Sequence, residues 1–227
     1  MIRDVFFDLD DTIFDFTKAE RNALSATLRH FNVEPNEMIL KRYSEINLSQ
    51  WKLLEQGVLT REQIKTRRYE LLFAEFNINL PPKSVTAYYE SQLSHGHFFI
   101  EGAQEILKKL YPVYRLFLVS NGSEKVQKGR IESSKISKYF NRIFISEKIG
   151  YNKPDARFFA ACFKEIPEFD AKKAIIVGDS LSSDIQGGIH AGIKTVWFNS
   201  KKTESKQIKP DFEISALSQL EAVLKNE

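Results

Sequence analysis

The sequence has almost no cysteine, since Cys162 is the only one among 227 residues, and so the chain cannot form an internal disulfide. It has no apolar run near the ~20 residues that a membrane-spanning helix needs. Arg3 and Asp4 interrupt the amino terminus where a signal peptide would be apolar. These absences argue against a secreted or membrane protein. They predict a cytoplasmic one whose single thiol is buried and unreactive.

The sequence also lacks an excess of either charge, with 33 Lys and Arg against 30 Asp and Glu and a net charge of +3. No long basic block is present, so no nucleic-acid partner is indicated, and the balance suits a small anionic substrate. The short basic stretch of Lys201, Lys202 and Lys206 is expected to be a solvated loop. The four histidines do not have the spacing of a zinc site. A monomer and a homodimer are both compatible with this composition.

Short apolar runs alternate with helical patterns over most of the chain. The predicted strands are residues 5–8, 115–120, 142–146, 174–178, 195–199 and 212–214. Several are apolar throughout, as expected for parallel strands that are covered on both faces. Helical patterns follow at 103–110, at 182–191 before Gly192, and around Leu220 near the end. This alternation predicts an α/β fold with a doubly wound, mostly parallel, Rossmann-like sheet.

The stretch from 15 to 94 has no convincing strand and only helical patterns. Three helix starts are predicted from capping-box spacing or from a proline pair: Thr17 with Glu20, Thr60 with Gln63, and Pro81 with Pro82. About eighty residues of helix are too many for one crossover between parallel strands. The sequence therefore predicts an all-helical cap domain of residues 15–94, inserted into a core domain of residues 1–14 and 95–227.

Two carboxylates, Asp8 and Asp10, come directly after the apolar run Val5-Phe6-Phe7. An ionised aspartate can attack phosphorus without help from a base, so Asp8 is a candidate nucleophile. Asp10 lies on the same side of the strand by the two-residue alternation and is placed to act as a general acid. An acidic turn after a strand gives the same pattern, and so the hypothesis depends on further residues.

Three more motifs lie at predicted strand ends or helix starts. Ser120-Asn121-Gly122 closes a strand and is either a phosphate cradle or a polar turn. Lys153 precedes Pro154, which suits the first turn of the next helix. Asp179 follows another buried strand, with Asp184 five residues later, and both are also compatible with turn or capping roles.

Together these motifs would bring four carboxylates to one crevice. Two carboxylates ~5 Å apart repel by ~3 kcal/mol at an effective dielectric constant of ~20, and one lysine offsets only one of the four charges. A divalent cation is therefore favoured. Oxygen ligands beside a phosphate favour Mg²⁺ over zinc.

The four motifs in this order resemble those of the haloacid dehalogenase-like hydrolase superfamily with a helical cap. The resemblance implies that Asp8 forms an aspartyl-phosphate and that Asp10 protonates the leaving oxygen and then activates water. It implies Mg²⁺ between Asp8, the backbone carbonyl of Asp10 and Asp179, with Asp184 orienting Lys153 or a metal-bound water and Thr12 bracing Asp10. The implied sets are catalytic Asp8, Asp10 and Lys153, phosphate-binding Asp11, Thr12, Ser120 and Asn121, and metal-binding Asp8, Asp10, Asp179 and Asp184.

Asp10 also separates reaction types within the superfamily, because an alkoxide leaving group needs a proton and a halide does not. Phosphate-ester hydrolysis is therefore expected rather than carbon–halogen cleavage. A phosphomutase is a less favoured alternative, because its motif usually has Gly at the position of Asp11. A non-catalytic phosphate-binding module is the alternative from another class, but it has no use for a general acid or a large cap.

Local patterns resemble the noncanonical pyrimidine 5′-nucleotidase branch, which implies a nucleoside monophosphate as substrate. The residues that carry this resemblance are Asn47, Trp51, Glu55 or Gln56, Gly57, Thr60 and Arg67, the run Ser146-Glu147-Lys148-Ile149-Gly150, and the stretch from Gly187-Gly188 to Trp197 and Asn199. Asn47, Trp51 and Arg67 are the expected specificity residues, although Trp51 is equally compatible with a place in the cap core. A phosphatase for sugar phosphates or other small metabolites is the alternative.

Overall fold

A computed structural model describes residues 1–205 and 207–227, so Lys206 of the basic stretch lies outside the described residues. These residues form one six-stranded sheet in the order β3-β2-β1-β4-β5-β6, with every neighbouring pair parallel. The strands are β1 Asp4–Phe7, β2 Arg115–Ser120, β3 Arg142–Ile145, β4 Ala174–Gly178, β5 Lys194–Phe198 and β6 Phe212–Ile214. The predicted parallel α/β sheet is confirmed.

The central position of β1 decides where a ligand can bind. The chain adds β2 and β3 on one side of β1, and then β4, β5 and β6 on the other. In an open α/β sheet, ligands bind beyond the carboxyl ends of the strands where the winding direction changes, which here is between β1 and β4. Asp8 and Asp179 are the residues that directly follow these two strands.

Apolar side chains cover both faces of the sheet, which explains the uniformly apolar strands. Val5 and Phe7 pack into one buried cluster, whereas Phe6 between them packs into another on the opposite face. The second cluster also contains Cys162, which is fully buried. Burial raises the pKa of this thiol, and so the predicted unreactive cysteine fits its surroundings.

Ten α-helices are present in the part of the chain that the structure describes. They are α1 Phe16–His30, α2 Glu37–Glu55, α3 Arg61–Phe76, α4 Pro82–Leu93, α5 Ala103–Leu110, α6 Glu124–Ser134, α7 Ser146–Ile149, α8 Ala156–Lys164, α9 Gln186–Ala191 and α10 Leu220–Lys225. A π-helical turn, Leu181–Ile185, leads into α9, and Gly192 ends that helix with a φ of 70°. No helix among the described residues is long and apolar enough to cross a membrane.

Helices α1 to α4, called the cap below, pack around an apolar cluster that includes Leu24, Tyr43, Leu72 and Tyr89, and Val126 of α6 joins it from outside the cap. The described chain has no strand within residues 16–94. A cluster built mostly from the cap supports the division into residues 15–94 and residues 1–14 with 95–227, which stays a proposal.

The helix starts follow the sequence signals in two of three cases. Thr60 and Gln63 form the predicted capping box, and Pro82 is the first residue of α4. The predicted box of Thr17 and Glu20 is wrong. Asp15 caps α1 instead, accepting from the Lys18 amide at 2.8 Å, because the side chain of Glu20 turns into the cap and accepts a hydrogen bond from Asn47.

Candidate active site

Three carboxylates meet beyond the ends of β1 and β4. One oxygen from each of Asp8, Asp179 and Asp184 lies within 4.8 Å of the other two. The backbone of Asp8 is held by a 2.9 Å hydrogen bond from its amide to the carbonyl of Val177 on β4. Asp184 reaches the same place from the π-helical turn. The sequence predicted these three residues as metal ligands, and their carboxylates, called the carboxylate cluster below, lie close enough together to hold one metal ion.

Gly178 makes the close approach of Asp184 possible. A Cβ atom at this position would lie 2.3 Å from the Asp184 carboxylate, far inside van der Waals contact. Any larger residue at the end of β4 would therefore displace Asp184.

Lys153 is buried among these carboxylates and bridges two of them. Its Nζ donates to Asp8 Oδ1 and to Asp184 Oδ1, both at 2.6 Å, and to the carbonyl of Val119 at 2.9 Å. Burial alone would lower the pKa of Lys153, but Asp184 and Asp8 outweigh that effect and raise it. The side chain is therefore a permanent cation that contacts the candidate nucleophile.

The segment that delivers Lys153 differs from the prediction. Helix α8 begins at Ala156 with Asp155 as its N-cap, so Pro154 precedes the helix and is joined to Lys153 by a cis peptide bond. The side chain of Asn121 positions this segment, accepting from the Lys153 amide at 2.8 Å and donating to the Lys153 carbonyl at 2.9 Å. Asn121 thus ties the loop after β2 to the lysine.

The carboxylate cluster carries more negative than positive charge. Burial raises the pKa of Asp8, and the neighbouring Asp184 raises it further against the opposing effect of Lys153. Burial and the charge of Asp8 likewise raise the pKa of Asp179. A hard divalent cation held by carboxylate oxygens would relieve this repulsion, and so the donor set fits Mg²⁺. The Asp10 carboxylate does not belong to this cluster.

Asp10 points toward α6 instead. Its Oδ1 accepts from Arg130 Nη1, and its Oδ2 accepts from Gln127 Nε2 at 2.6 Å. Neither Arg130 nor Gln127 was predicted as a site residue. The available signal was two polar residues three positions apart, on one face of the helix that follows Ser120-Asn121-Gly122.

The hydroxyl of Ser120 is buried and is bonded within the loop after β2. Its Oγ accepts from the Gly122 amide at 3.1 Å and from Gln127 Nε2 at 2.9 Å, which fills both acceptor positions of the hydroxyl. A Cβ on Gly122 would lie 2.3 Å from Gln127 Nε2, so a larger residue here would displace the Gln127 side chain. The predicted phosphate contact of Ser120 is compatible with this geometry.

Two of the expected phosphate-binding residues have other partners. The Asp11 amide donates to the carbonyl of Phe14 at 2.7 Å, and Asp11 Oδ1 accepts from the amide of Phe16 at 2.9 Å. Thr12 is fully buried, and its Oγ1 accepts from the Asp179 amide at 3.1 Å, so it does not brace Asp10. These groups shape the loop after β1. Asp11 also lines the cavity described below, and the phosphate-binding role of Asp11 and Thr12 stays a prediction.

A cavity of about 210 Å³ lies between the carboxylate cluster and the cap. Its cap side includes Phe16, Leu48, Trp51, Arg68 and Tyr89. The sequence left open whether Trp51 contacts the substrate or belongs to the cap core. In the structure, Trp51 lines the cavity. This wall combines aromatic and apolar surface with the charged side chains of Glu55, Lys65, Arg68 and Glu90.

The arginine on this wall is Arg68 and not the predicted Arg67, which is exposed. Arg68 is buried, and its guanidinium carbon lies 5.9, 5.2 and 4.9 Å from the ring centroids of Tyr43, Tyr69 and Tyr89. The prediction for Arg67 was wrong by one position, because α3 turns Arg68 inward.

Asn47 is buried and does not line the cavity, so its predicted substrate contact is also wrong. Its Oδ1 accepts from Arg68 Nη1 at 3.0 Å, and its Nδ2 donates to Glu20 Oε1 at 2.6 Å. Glu20, Asn47 and Arg68, with the three tyrosines around the guanidinium, form the cap cluster. Asn47 acts within it by holding Arg68.

Arg61 joins the cap to the loops of the sheet, a role that the sequence did not indicate. It donates to the carbonyl of Asn121 and to Ser146 Oγ, both at 2.6 Å, and to Asn152 Oδ1 at 2.5 Å. Its guanidinium carbon also lies 5.5 Å from the ring centroid of Trp51. The cavity is therefore bounded by contacts between the two parts of the molecule.

Known proteins with a similar sequence and fold were found by comparison. The family model described as haloacid dehalogenase-like hydrolase matches residues 5–198. The crystal structure of YfnB from Bacillus subtilis bound to magnesium has a TM-score of 0.94 and 33% identity, covering 98% of each chain. The pyrimidine 5′-nucleotidase PynA of Streptococcus pneumoniae is 33% identical, covering 95% of this chain and 92% of PynA. A glyceraldehyde 3-phosphate phosphatase of Pyrococcus abyssi is 31% identical, covering 89% of this chain and 83% of that protein.

Proposed function

The chain belongs to the haloacid dehalogenase-like hydrolase family, and on that premise we propose that it is a Mg²⁺-dependent phosphomonoesterase for pyrimidine nucleoside 5′-monophosphates. The observation that carries this proposal is the cavity itself. A carboxylate cluster with a buried lysine forms one side, and an aromatic wall with a buried arginine forms the other. A pyrimidine nucleoside 5′-monophosphate has a phosphate at one end, which suits the carboxylate cluster with its cation, and a flat base with polar edges at the other, which suits the aromatic wall.

Asp8 is the proposed nucleophile. A carboxylate oxygen of Asp8 attacks phosphorus, and the bond between phosphorus and the ester oxygen breaks as the aspartyl-phosphate forms. Lys153 bonds Asp8 Oδ1 and neutralises part of the charge that gathers there, which leaves Oδ2 without a lysine contact. The hydroxyl of Ser120 is the proposed donor to a phosphoryl oxygen.

Asp10 is the proposed acid and base. Its proton passes to the ester oxygen as that oxygen leaves, and the resulting carboxylate then takes a proton from the water that attacks the aspartyl-phosphate. That second step releases inorganic phosphate and restores Asp8. The side chain of Asp10 is 29% exposed at the cavity, which gives it access to both partners.

The carboxylates of Asp8 and Asp179 are the proposed ligands of Mg²⁺, together with the backbone carbonyl of Asp10. When bound, Mg²⁺ would supply positive charge beside the nucleophile and the phosphate. Both carboxylate oxygens of Asp184 already have donors, since Oδ1 accepts from Lys153 and Oδ2 accepts from the Ser180 amide at 3.1 Å. We therefore propose that Asp184 chiefly positions Lys153. Its carboxylate also lies close enough to Asp8 and Asp179 to contact the same ion.

The cap wall supports a nucleoside rather than a short-chain sugar. Trp51 and Phe16 offer faces on which a base can stack, and Arg68 offers donors to its oxygen atoms. Tyr89 Oη has no hydrogen-bond partner among the described residues and lies on the same wall. A triose phosphate has no ring that could use this surface. Hydrolysis of sugar phosphates is the alternative, because the Pyrococcus relative is about as similar as PynA.

The test is phosphate release with MgCl₂ from UMP, dUMP and dTMP, compared with glucose 6-phosphate and glyceraldehyde 3-phosphate. We expect kcat/KM for the pyrimidine nucleotides to exceed that for the sugar phosphates by about tenfold or more, which corresponds to roughly 1.4 kcal/mol. Equal rates on both groups would remove the nucleotidase assignment only. Absence of release from every ester would contradict the phosphomonoesterase proposal.

A further inference from the structure

Arg130 is a fully buried arginine whose main partner is the Asp10 carboxylate. Its Nη1 donates to Asp10 Oδ1 and, at 3.0 Å, to Gln127 Oε1. Gln127 Nε2 in turn donates to Asp10 Oδ2 at 2.6 Å and to Ser120 Oγ at 2.9 Å. Two neighbouring side chains of α6 therefore fix both oxygens of the proposed acid and link them to the proposed phosphate contact.

The same guanidinium contacts both segments that join the sheet to the cap. Nε donates to the carbonyl of Gly96 at 2.6 Å, on the segment that returns from α4. The guanidinium carbon lies 5.1 and 5.8 Å from the ring centroids of Phe14 and Phe16, on the segment that leads to α1. A Cβ on Gly96 would lie 3.0 Å from Ala19 Cβ, so the return segment also packs directly on α1. The position of Arg130 therefore depends on the position of the cap.

Filling the space between the rings of Phe14 and Phe16 does not require a cation. The Nη2 of Arg130 is buried and has no hydrogen-bond partner in the described part of the chain. A buried donor without a partner costs free energy, and an apolar side chain against Phe14 and Phe16 would avoid that cost. The arginine therefore has a use other than filling space, and its strongest contact is the carboxylate at the cavity.

We infer that Arg130 is a positioning residue, which with Gln127 orients Asp10 toward the leaving oxygen and ties that orientation to the cap segment at Gly96. This inference rests on the proposed function, because it takes Asp10 as the proton donor to the ester oxygen. Arg130 acts through Asp10. Its removal should therefore slow the hydrolysis of esters whose leaving oxygen needs a proton and spare esters whose leaving group departs as a stable anion.

The experiment compares Arg130→Met and Arg130→Lys with the wild type on UMP and on p-nitrophenyl phosphate, with MgCl₂. The ribose oxygen of UMP needs a proton, whereas p-nitrophenolate leaves without one, and kcat/KM reports the steps up to formation of the aspartyl-phosphate. We expect Arg130→Met to lower kcat/KM for UMP by roughly a hundredfold, within the usual range for general acid catalysis. The loss on p-nitrophenyl phosphate should be less than about threefold, and Arg130→Lys should recover part of the activity on UMP.

Two further variants keep the test independent of folding. Arg142→Met is the matched control, since Arg142 pairs with Glu165 on the surface, and it should keep the wild-type ratio between the two esters. Gln127→Leu removes the other contact of Asp10 and should change the ratio in the same direction as Arg130→Met. It provides the test if Arg130→Met does not fold. Equal losses on both esters, or no loss on either, would overturn the inference and leave the phosphomonoesterase proposal intact. A wild type that hydrolyses neither ester would overturn both.

Discussion

Two groups of buried polar side chains face each other across the cavity, and they are balanced in different ways. In the cap cluster, Glu20 is bonded to Asn47 and Asn47 to Arg68, so each charge has a partner in the cap itself. In the carboxylate cluster, Lys153 faces three acidic side chains and can neutralise only one of them. The charges of the cap cluster are balanced within the cap, whereas the carboxylate cluster carries surplus negative charge that a cation from solution would balance.

We infer from this difference that the carboxylate cluster performs the chemistry and that the cap contributes to selectivity. Surplus charge in a buried site costs stability, so it is expected where a metal ion or a phosphate compensates it. A balanced cluster beneath an aromatic wall can orient a ligand without changing its own charge. Changing the charge of either cluster should therefore have different consequences.

The largest effect is expected from Asp8→Asn, which replaces the proposed nucleophile. Activity on UMP should fall on the order of 10⁴-fold or more, since losses of this size follow removal of a nucleophile. The melting temperature without metal should not fall, because the variant removes one of the repelling charges. Asp170→Asn, at a helix cap that asparagine also satisfies, is the control and should stay active. An Asp8→Asn protein with full activity would exclude covalent catalysis through this residue.

The second prediction concerns the demand for a cation. MgCl₂ should raise the melting temperature of the wild type, because a ligand at about 100 times its Kd stabilises the folded state by about 2.7 kcal/mol. Asp179→Asn should lose most of this shift, and without metal it should melt above the wild type because repulsion at the cluster is relieved. NaCl at equal ionic strength is the control. A wild type that responds equally to both salts would argue against a metal site.

The third prediction tests the cap through two adjacent arginines. Arg68→Met should raise the KM for UMP about tenfold, since a contact to the base or ribose is worth roughly 1 to 3 kcal/mol, and change kcat little. Arg67→Met removes an equal charge from the exposed face of the same helix and should stay within about twofold of the wild type. Loss of kcat in Arg68→Met with an unchanged KM would contradict a specificity role.

The smallest effect is expected at Glu20 in the cap cluster. Burial raises its pKa, Asp11 adds to the rise, and hydrogen bonds from Ser44 and Asn47 and the charge of Arg68 oppose it. The folded state therefore binds this proton more tightly than the unfolded state. Its contribution to stability is complete below the unfolded pKa and is lost as the pH rises through the folded pKa.

Glu20→Gln should consequently raise the melting temperature near pH 8, and the gain should shrink as the pH falls toward 4. A gain of a few degrees is expected, since 1 kcal/mol corresponds to about 2 to 4 °C in a chain of this length. Thermal scans across this pH range measure the difference. Glu70→Gln on the exposed face of α3 is the control, and a gain that persists in acid would contradict the assignment.

The sheet and the carboxylate cluster were predictable because each of their signals is local. Asp8 and Asp179 each follow an apolar strand directly, and in a parallel sheet the carboxyl ends of neighbouring strands meet at one edge. The pattern of apolar runs was therefore enough to bring these residues together. The pattern of apolar runs did not predict the contact of Thr12. Its hydroxyl was expected to brace Asp10, but it accepts a hydrogen bond from the backbone amide of Asp179.

The cap was predictable as helices but not as a binding wall. Whether α3 turns Arg67 or Arg68 toward the cavity depends on how the helix packs against α2 and α4, and the sequence fixes that rotation only weakly. Asn47 reaches Glu20 and Arg68 across 27 and 21 positions of the chain. Arg130 likewise meets Asp10 over 120 positions. Contacts of this kind depend on packing between separate helices.

Because Asp184 approaches the end of β4 closely, the side chain at position 178 has almost no space. At Gly178 there is room for a hydrogen atom and no more, since a methyl group would occupy the space of the carboxylate that bonds Lys153. A substitution there could disable the protein without altering a single charged or reactive group. A glycine without any reactive group thus determines whether Asp184 can reach Lys153.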